Sequence, residues 1–384
     1  MRILILTSSI FPKEGGLSTN IRAFKKWAEK KQNKVTIISL GSLSRFQRAL
    51  LLWAPSRLFG IIPGQSGLII LLMMVRLFLR WKVQQLTRNE PFDLVLSQDI
   101  NAYHAIQKLK YSAKKHYIVV HDYFTSAQQI DWNISSDNYE TRYVNHLERT
   151  AYSAAEKIFT VDSRIADYIH SKFGIDRNKI SIIKNAADCD VYRPFHSQRK
   201  DANSFIIFVP RRLVQKNGVE YAIRALSEPI LQDDKFVMVI AGEGPEYLKL
   251  LNLSKALNLS SRIKFLGSIE SKKMPKLYNY SDVVLVPSVT ERGIQEATSL
   301  SALEAMACEV PVIASRIGGL KEIIDNGING ILVDERDSEQ IANAIFYLCS
   351  SPQAMINLGT KGRISAMEYW NRYGEEILRI IGEN

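Results

Sequence analysis

Short apolar runs rich in Val, Ile, Leu and Phe recur along the chain, and each is followed by a longer amphipathic stretch. This alternation reads as buried parallel strands joined by crossover helices. The first half carries RILIL (2–6), KVTIISL (34–40), DLVLS (93–97), YIVVHD (117–122), KIFTVD (157–162) and ISIIKN (180–185). The second half restarts with FIIFVP (205–210) and continues with FVMVIAG (236–242), IKFLG (263–267), VVLVPS (283–288), VPVIAS (310–315) and GILVD (330–334). The pattern predicts an α/β protein of two Rossmann-like, doubly wound domains in tandem, facing each other across a cleft. Sheets of this kind bind ligands beyond the carboxyl ends of their strands. The polar, patternless FHSQRKDANS (195–204) places the linker and divides the chain into 1–195 and 196–364.

One segment departs from the pattern. LIILLMMV (68–75) is apolar all round and is followed by Arg76, Arg80 and Gln84 at i, i+4 spacing. It is too short to cross a bilayer, which takes about 20 apolar residues. Two readings of 43–88 stand: a helix packed in the first domain, or a basic face flanked by Trp53 and Trp81 that rests on an anionic membrane surface.

Charge sharpens that choice. The chain of 384 residues has a net charge of +11, which calls for an anionic partner. The excess is largely local, because no acidic residue occurs from Lys30 to Asn89, whereas Arg45, Arg48, Arg57, Arg76, Arg80, Lys82 and Arg88 all do. No nucleic-acid reader motif accompanies these cations, so nucleic acid is not the expected partner. Cys189, Cys308 and Cys349 lie far apart with no CxxC pair, which predicts neither a disulfide framework nor a zinc site and fits a cytoplasmic setting. MRILILTSSIFP has no basic n-region or cleavage site and reads as a first strand rather than a secretion signal.

The candidate chemistry gathers after VVLVPS. TSLSALEAMA (298–307) begins with cap residues and then spaces Leu300, Leu303 and Met306 as a helix, so Glu296 precedes the helix and Glu304 lies in its early turns. Ser301-x-x-Glu304 also fits a capping box. The helix start at Thr298, Ser299 and Leu300 offers N–H groups to an anion or a hydroxyl, and carboxylates beside it would accept hydrogen bonds from sugar hydroxyls. RRLVQKNG (211–218) supplies cations after a strand, and KEGGLSTN (13–20) places Gly15 and Gly16 where backbone can approach a ligand. His121 ends YIVVHD. DCD (188–190) spells a metal-binding DxD by letters but sits in a turn, and no other acid or histidine cluster has ligand spacing. GEG (242–244) is a tight turn, far short of a dinucleotide fingerprint.

EATSLSALEAMACEVPVIASRIGGLKEII (296–324) closely resembles the Glu-x7-Glu region of the retaining glycosyltransferases of family 4, which have the GT-B fold. KIFTVDSRIADYI, IIKNAADCDVYRPF, VPRRLVQKNGVEYAIRAL, VIAGEGPE and NGINGILVDERDSEQIANAI follow that family's order from about 155 to 350, and the N-terminal half resembles it more weakly. The resemblance implies that Glu296 meets donor-sugar hydroxyls, that Glu304 meets the nucleotide ribose, and that the backbone at Thr298, Ser299 and Leu300 holds sugar and diphosphate. It implies roles near the donor for Gly15, Gly16 and His121, and a last helix (365–384) that returns to the N-terminal domain. Arg212 matches the family's arginine. The family's lysine position is Asn217 here, with Lys216 one place earlier.

The implied activity is transfer of a sugar from a nucleotide diphosphate sugar to an acceptor hydroxyl with retention, without cofactor or metal. A lipid-linked saccharide is the expected acceptor, met by a cytoplasmic protein peripheral on the inner face of the membrane. A soluble acceptor, or a catalytically silent subunit that binds a partner enzyme, is the alternative.

Overall fold

In the computed structural model of the chain, which describes every residue except 13–15, 61–65, 88–89, 110–112, 127, 129–134, 136–137, 196–202, 292, 294 and 383–384, each of the twelve apolar runs overlaps a strand. Met1–Lys184 and Gly374–Asn384 form one compact unit, and Asn185–Tyr373 form another.

The first unit holds β1 (Arg2–Leu6), β2 (Lys34–Ile38), β3 (Phe92–Ser97), β4 (Ala113–Val120), β5 (Ile158–Thr160) and β6 (Ile180–Ile182) in one parallel sheet, ordered β2-β1-β3-β4-β5-β6. Its helices are α1 (Gly16–Lys30), α2 (Arg45–Arg48), α3 (Ala54–Gly60), α4 (Gly67–Leu86), α5 (Ile100–Ile106), α6 (Tyr139–Ala154) and α7 (Ser163–Phe173), with a π-helical turn (Ala49–Trp53) between α2 and α3. β4 begins before the apolar run because its first residues are polar. Lys114 there is exposed and pairs with Asp93 of β3 at 2.8 Å, so cross-strand charge, not burial, extends the strand.

The second unit holds β7 (Phe205–Pro210), β8 (Phe236–Ala241), β9 (Ile263–Phe265), β10 (Val283–Val286), β11 (Val312–Ser315) and β12 (Ile331–Val333), all parallel, in the order β12-β11-β10-β7-β8-β9. Its helices are α8 (Val219–Leu226), α9 (Tyr247–Ala256), α10 (Met274–Asn279), α11 (Leu300–Ala307), α12 (Leu320–Ile323) and α13 (Ser338–Ser350), and α14 (Pro352–Ile381) runs out of this unit into the first. Strand order reverses between β7 and β10, so the crevice at a doubly wound sheet's switch point lies beyond Pro210 and Val286. Both faces of the sheet are covered, and Ile207, Val209, Ile240, Leu285 and Ile313 are sealed in its core.

The boundary between units falls at Lys184, upstream of the polar stretch that marks the linker in the sequence. Residues 185–195 are tied to the second unit by polar contacts that hydrophobic patterning does not register. Asn185 Nδ2 donates to the Thr298 carbonyl at 3.3 Å, the Phe195 N–H to Asn279 Oδ1 at 2.9 Å, and Arg363 Nη1 to the Tyr192 carbonyl at 2.9 Å.

Within the odd segment 43–88, Arg45–Gly60 and Gly67–Leu86 are helical. α4 buries Leu68, Leu72, Val75, Leu79 and Val83 in the core of the first unit, beside Leu4, Leu6 and Val95. That row recurs at helical spacing and accounts for half of an all-round apolar helix. Among the described residues, no helix is long and apolar enough to cross a membrane.

Candidate functional site

In the second unit the switch-point crevice is lined by polar groups from two neighbouring strand ends. Arg211 follows β7 and Ser288 follows shortly after β10. Arg211 is buried, and its Nη2 donates to Ser288 Oγ (2.8 Å), Asn217 Oδ1 (2.7 Å) and Glu296 Oε2 (2.9 Å), while Nη1 donates to Ser299 Oγ at 3.1 Å. One guanidinium therefore gathers the loop after β10, the loop after β7 and the start of α11. Burial pushes the Glu296 carboxyl up, but the Arg211 charge and hydrogen bond, the nearby Lys216 charge and Ser288 together hold it below its ordinary value. Glu296 is thus an ionised acceptor near neutral pH.

Local backbone requirements explain why the sequence folds this way. Gly218 has φ +62°, and a Cβ there would lie 1.8 Å from the Pro287 carbonyl oxygen, so only glycine lets the turn after β7 press against the end of β10. Gly319 donates its N–H to the Glu296 carbonyl at 2.9 Å, and a Cβ on it would meet the Ala297 carbonyl carbon at 2.7 Å. The carboxylate is held from the side-chain end by Arg211 and from the backbone end by Gly319.

α11 starts with Ser299 as its N-cap, but the Ser299 side chain makes no cap bond to the first turn and instead accepts from Arg211. Thr298, Ser299 and Leu300 are all buried at this start. The capping box allowed by the sequence does not form. Ser301 lies inside the helix and donates to the Pro210 carbonyl at 3.0 Å, and the buried Glu304 accepts from the Tyr278 hydroxyl at 2.7 Å. The helix thus presents Glu296 just before it and Glu304 within it, as the spacing predicts.

Of the cations expected for a diphosphate, Arg212 is exposed and Lys216 is half-buried within electrostatic range of Glu296. Asn217 is buried, accepts from Arg211 and donates to the Arg212 carbonyl at 2.7 Å. Arg211 is the functional candidate that sequence reasoning passed over. Its signal is its place directly after β7, at the strand end that borders the switch point. A hollow of about 540 Å³ in the same unit, lined by Arg224, Glu228, Glu335 and Arg336 among others, contains none of the predicted residues.

In the first unit, strand order reverses between β1 and β3, and the residues beyond those strands are joined. Asp99 accepts from the Ser8 N–H (2.7 Å), Ser8 Oγ (2.8 Å), Thr7 Oγ1 (3.1 Å) and, as the cap of α5, the Ala102 N–H (2.8 Å). His121 follows β4, and its Nε2 lies 2.9 Å from Oε1 of the buried Gln98 beyond β3. The amide oxygen assigns the ring proton to Nε2 and leaves Nδ1 with a lone pair. Burial pushes the ring down to about 4, so it is neutral near pH 7. Gly16 is exposed at the first position of α1, and Gly15 lies outside the described residues.

Asp188 of DCD is used by its own turn, accepting the Asp190 N–H at 3.0 Å. Among the described residues, no three His, Cys, Asp or Glu side chains come together as a metal-binding group. Gly242 and Gly244 of GEG let the chain pass against the Arg211 and Leu213 carbonyls, each with a Cβ position 2.1 Å from the oxygen, so this turn buttresses the segment that carries Arg211.

A family model described as Glycosyltransferase Family 4 matches residues 14–191, and one described as Glycosyl transferases group 1 matches residues 193–365. An uncharacterised glycosyltransferase of Methanocaldococcus jannaschii is 31% identical over 214 residues, covering 53% of this chain and 53% of that protein. The D-inositol 3-phosphate glycosyltransferase of Rhodococcus jostii is 28% identical over 247 residues, covering 60% of this chain and 53% of that protein. The chain thus spans about half the length of the curated relatives it matches. The crystal structure of Anabaena HepE in complex with UDP-glucose superposes with a TM-score of 0.69 at 19% identity, over 99% of both chains, a likeness of fold.

Proposed function

The chain belongs to the group 1 and family 4 glycosyltransferases, and from that premise we propose that it transfers a sugar from a nucleotide diphosphate sugar to an acceptor hydroxyl with retention at the anomeric carbon. The observation that carries this reading is the ionised Glu296 held by Arg211 at the switch point of the second unit, beside an α11 start that the Ser299 side chain does not cap. In the proposed arrangement Glu296 accepts hydrogen bonds from donor-sugar hydroxyls and Glu304 from the ribose. Thr298, Ser299 and Leu300 present backbone to the sugar and diphosphate. Arg212 and Lys216 stabilise the charge that builds on the leaving phosphate, which serves in place of a metal. His121, neutral and fixed by Gln98, offers polar contact to the sugar rather than positive charge. The leaving phosphate itself takes the acceptor's proton.

The proposed acceptor is a lipid-linked saccharide, and the proposed setting is the cytoplasmic face of a membrane. The basic, acid-free stretch from Lys30 to Asn89 lies in the unit expected to meet the acceptor and supports this reading. A soluble, phosphate-bearing acceptor is the competing reading, favoured by the D-inositol 3-phosphate glycosyltransferase among the relatives.

Thermal stabilisation by UDP, GDP, ADP and their sugar conjugates, with and without EDTA, tests the donor site. Stabilisation by one nucleotide series, retained in EDTA and weakened in Glu304→Gln, is the expected result. Loss of all nucleotide stabilisation in the wild type would instead favour a catalytically silent subunit.

A further inference from the structure

Among the described residues, the helical insertion between β2 and β3 leaves a set of large apolar side chains exposed. Along α2, the π-helical turn and α3, Leu52 and Ser56 point inward and are buried, whereas Phe46, Leu50, Trp53 and Leu58 lie on the opposite side and are 74%, 57%, 44% and 66% exposed. α4, against which α3 packs, repeats the arrangement. Its inward row is the core row from Leu68 to Val83, and its outward row is Met73, Leu77 and Trp81, at i, i+4, i+8, with Leu77 60% exposed. Such a concentration of large exposed side chains is not the scattered exposure of an ordinary soluble surface. Arg45 and Arg57 are exposed among them, and Arg80 and Lys82 flank Trp81 on α4.

We infer that this insertion is the docking surface for an anionic lipid bilayer. The inference rests on the acceptor reading above for its purpose, but its physical grounds are separate. Aromatic and aliphatic side chains on the outward side would enter the headgroup and acyl boundary, with Trp53 and Trp81 at the polar interface. The arginines would stay at the phosphates. A second copy of the chain is a poor occupant, because a self-complementary contact would set cations against cations with no carboxylate between Lys30 and Asn89 to neutralise them. An anionic bilayer supplies the apolar phase and the countercharge together. The inward rows fix the two layers of helix to the sheet, so docking calls for no rearrangement of the core.

The test is flotation of the full chain with phosphatidylcholine vesicles and with mixed phosphatidylcholine–phosphatidylglycerol vesicles, at low and high salt. The wild type is expected to float with the mixed vesicles at low salt and to stay behind with phosphatidylcholine alone. Phe46→Ser/Leu50→Ser/Trp53→Ser should abolish flotation. Arg45→Gln/Arg57→Gln should weaken it roughly 25-fold, about fivefold for each cation near the surface. Leu248→Ser/Ile356→Ser, which removes equally exposed apolar residues from the second unit, should leave it intact. Thermal melts and nucleotide stabilisation, measured on the same proteins, separate this inference from the donor-site reading. A wild type that gains stability from nucleotide but ignores anionic vesicles would overturn the docking surface alone. Unchanged flotation of the triple serine variant would overturn it as well, and so would a wild-type dimer that the serine variant dissociates.

Discussion

Arg211 Nη2 sits 2.9 Å from Glu296 Oε2, and both side chains are largely sealed from water, at 7% and 15% exposure. A buried ion pair of this kind adds little to stability when intact, but removing one partner strands the other. Arg211→Met is therefore expected to lower unfolding free energy by about 3–5 kcal/mol, measured by urea denaturation, and to raise the pKa of Glu296. Arg211→Lys restores charge without the fork of donors and should recover part of the loss. Glu296→Gln keeps the shape and removes the charge. On the proposed function it should fold and lose about 100- to 1,000-fold in turnover, the scale of a lost electrostatic contact at a reacting centre.

The resemblance of the sequence leads to the expectation of lysine at 217, where this chain has Asn217, and Asn217→Lys tests that expectation. The structure predicts that this change does harm. Asn217 Oδ1 accepts from Arg211 at 2.7 Å in a buried setting, and a lysine would remove that acceptor and set a second cation beside the guanidinium. A loss of about 1–3 kcal/mol in thermal or urea unfolding is expected, with donor binding weakened rather than improved.

Gly218→Ala probes the join between the ends of β7 and β10. The added carbon would overlap the Pro287 carbonyl and strain a left-handed backbone, so a loss of at least about 2 kcal/mol is expected. Because Asn217 precedes this turn, nucleotide affinity should fall with stability. A stable variant with normal nucleotide binding would show that the turn does not position the site.

The buried neutral state of His121 gives stability a definite pH dependence. Its folded pKa, about 4, lies below the ordinary value, so the unfolded chain takes up the proton first as pH falls. This contribution is fully present above the ordinary histidine pKa and is lost as pH falls from about 6.5 towards 4. His116, pushed by burial down to about 3, acts in the same direction, whereas Asp99 and Glu148, whose carboxyls burial raises, act in the opposite direction above the ordinary carboxylate value. His121→Gln should remove part of the acid slope, read as the difference between wild-type and variant urea midpoints across that range. Equal slopes would show that His121 does not stay neutral.

The strands and their division into two doubly wound units were legible because strands covered on both faces read as continuous apolar runs. Elements held by charge or by single polar contacts were not. The Lys114–Asp93 pair extends β4 beyond its apolar run, and the bonds of Asn185 and Arg363 carry 185–195 into the second unit. At the candidate site, the order and placement of Glu296 and Glu304 followed from spacing, but their partners did not. Ser301 fits a capping box by letters, yet its hydroxyl goes to Pro210 across the sheet, a contact no local pattern encodes. Arg211 was hidden for the same reason: Glu296, Ser288 and Ser299 are brought to it by strand order, not by neighbourhood in sequence.

α14 leaves the second unit and ends in the first, where Gly374 lies so close to Trp27 of α1 that a Cβ would fall 2.4 Å from the indole. The first unit is therefore discontinuous in the gene, with the whole second unit spliced into it. On the ribosome, Asn185–Tyr373 can finish folding while the earlier unit still waits for its closing segment. A premature stop within the final turns of α14 would leave Asn185–Tyr373 complete and the first unit unfinished, so the lesion would be felt at Trp27, far away along the chain.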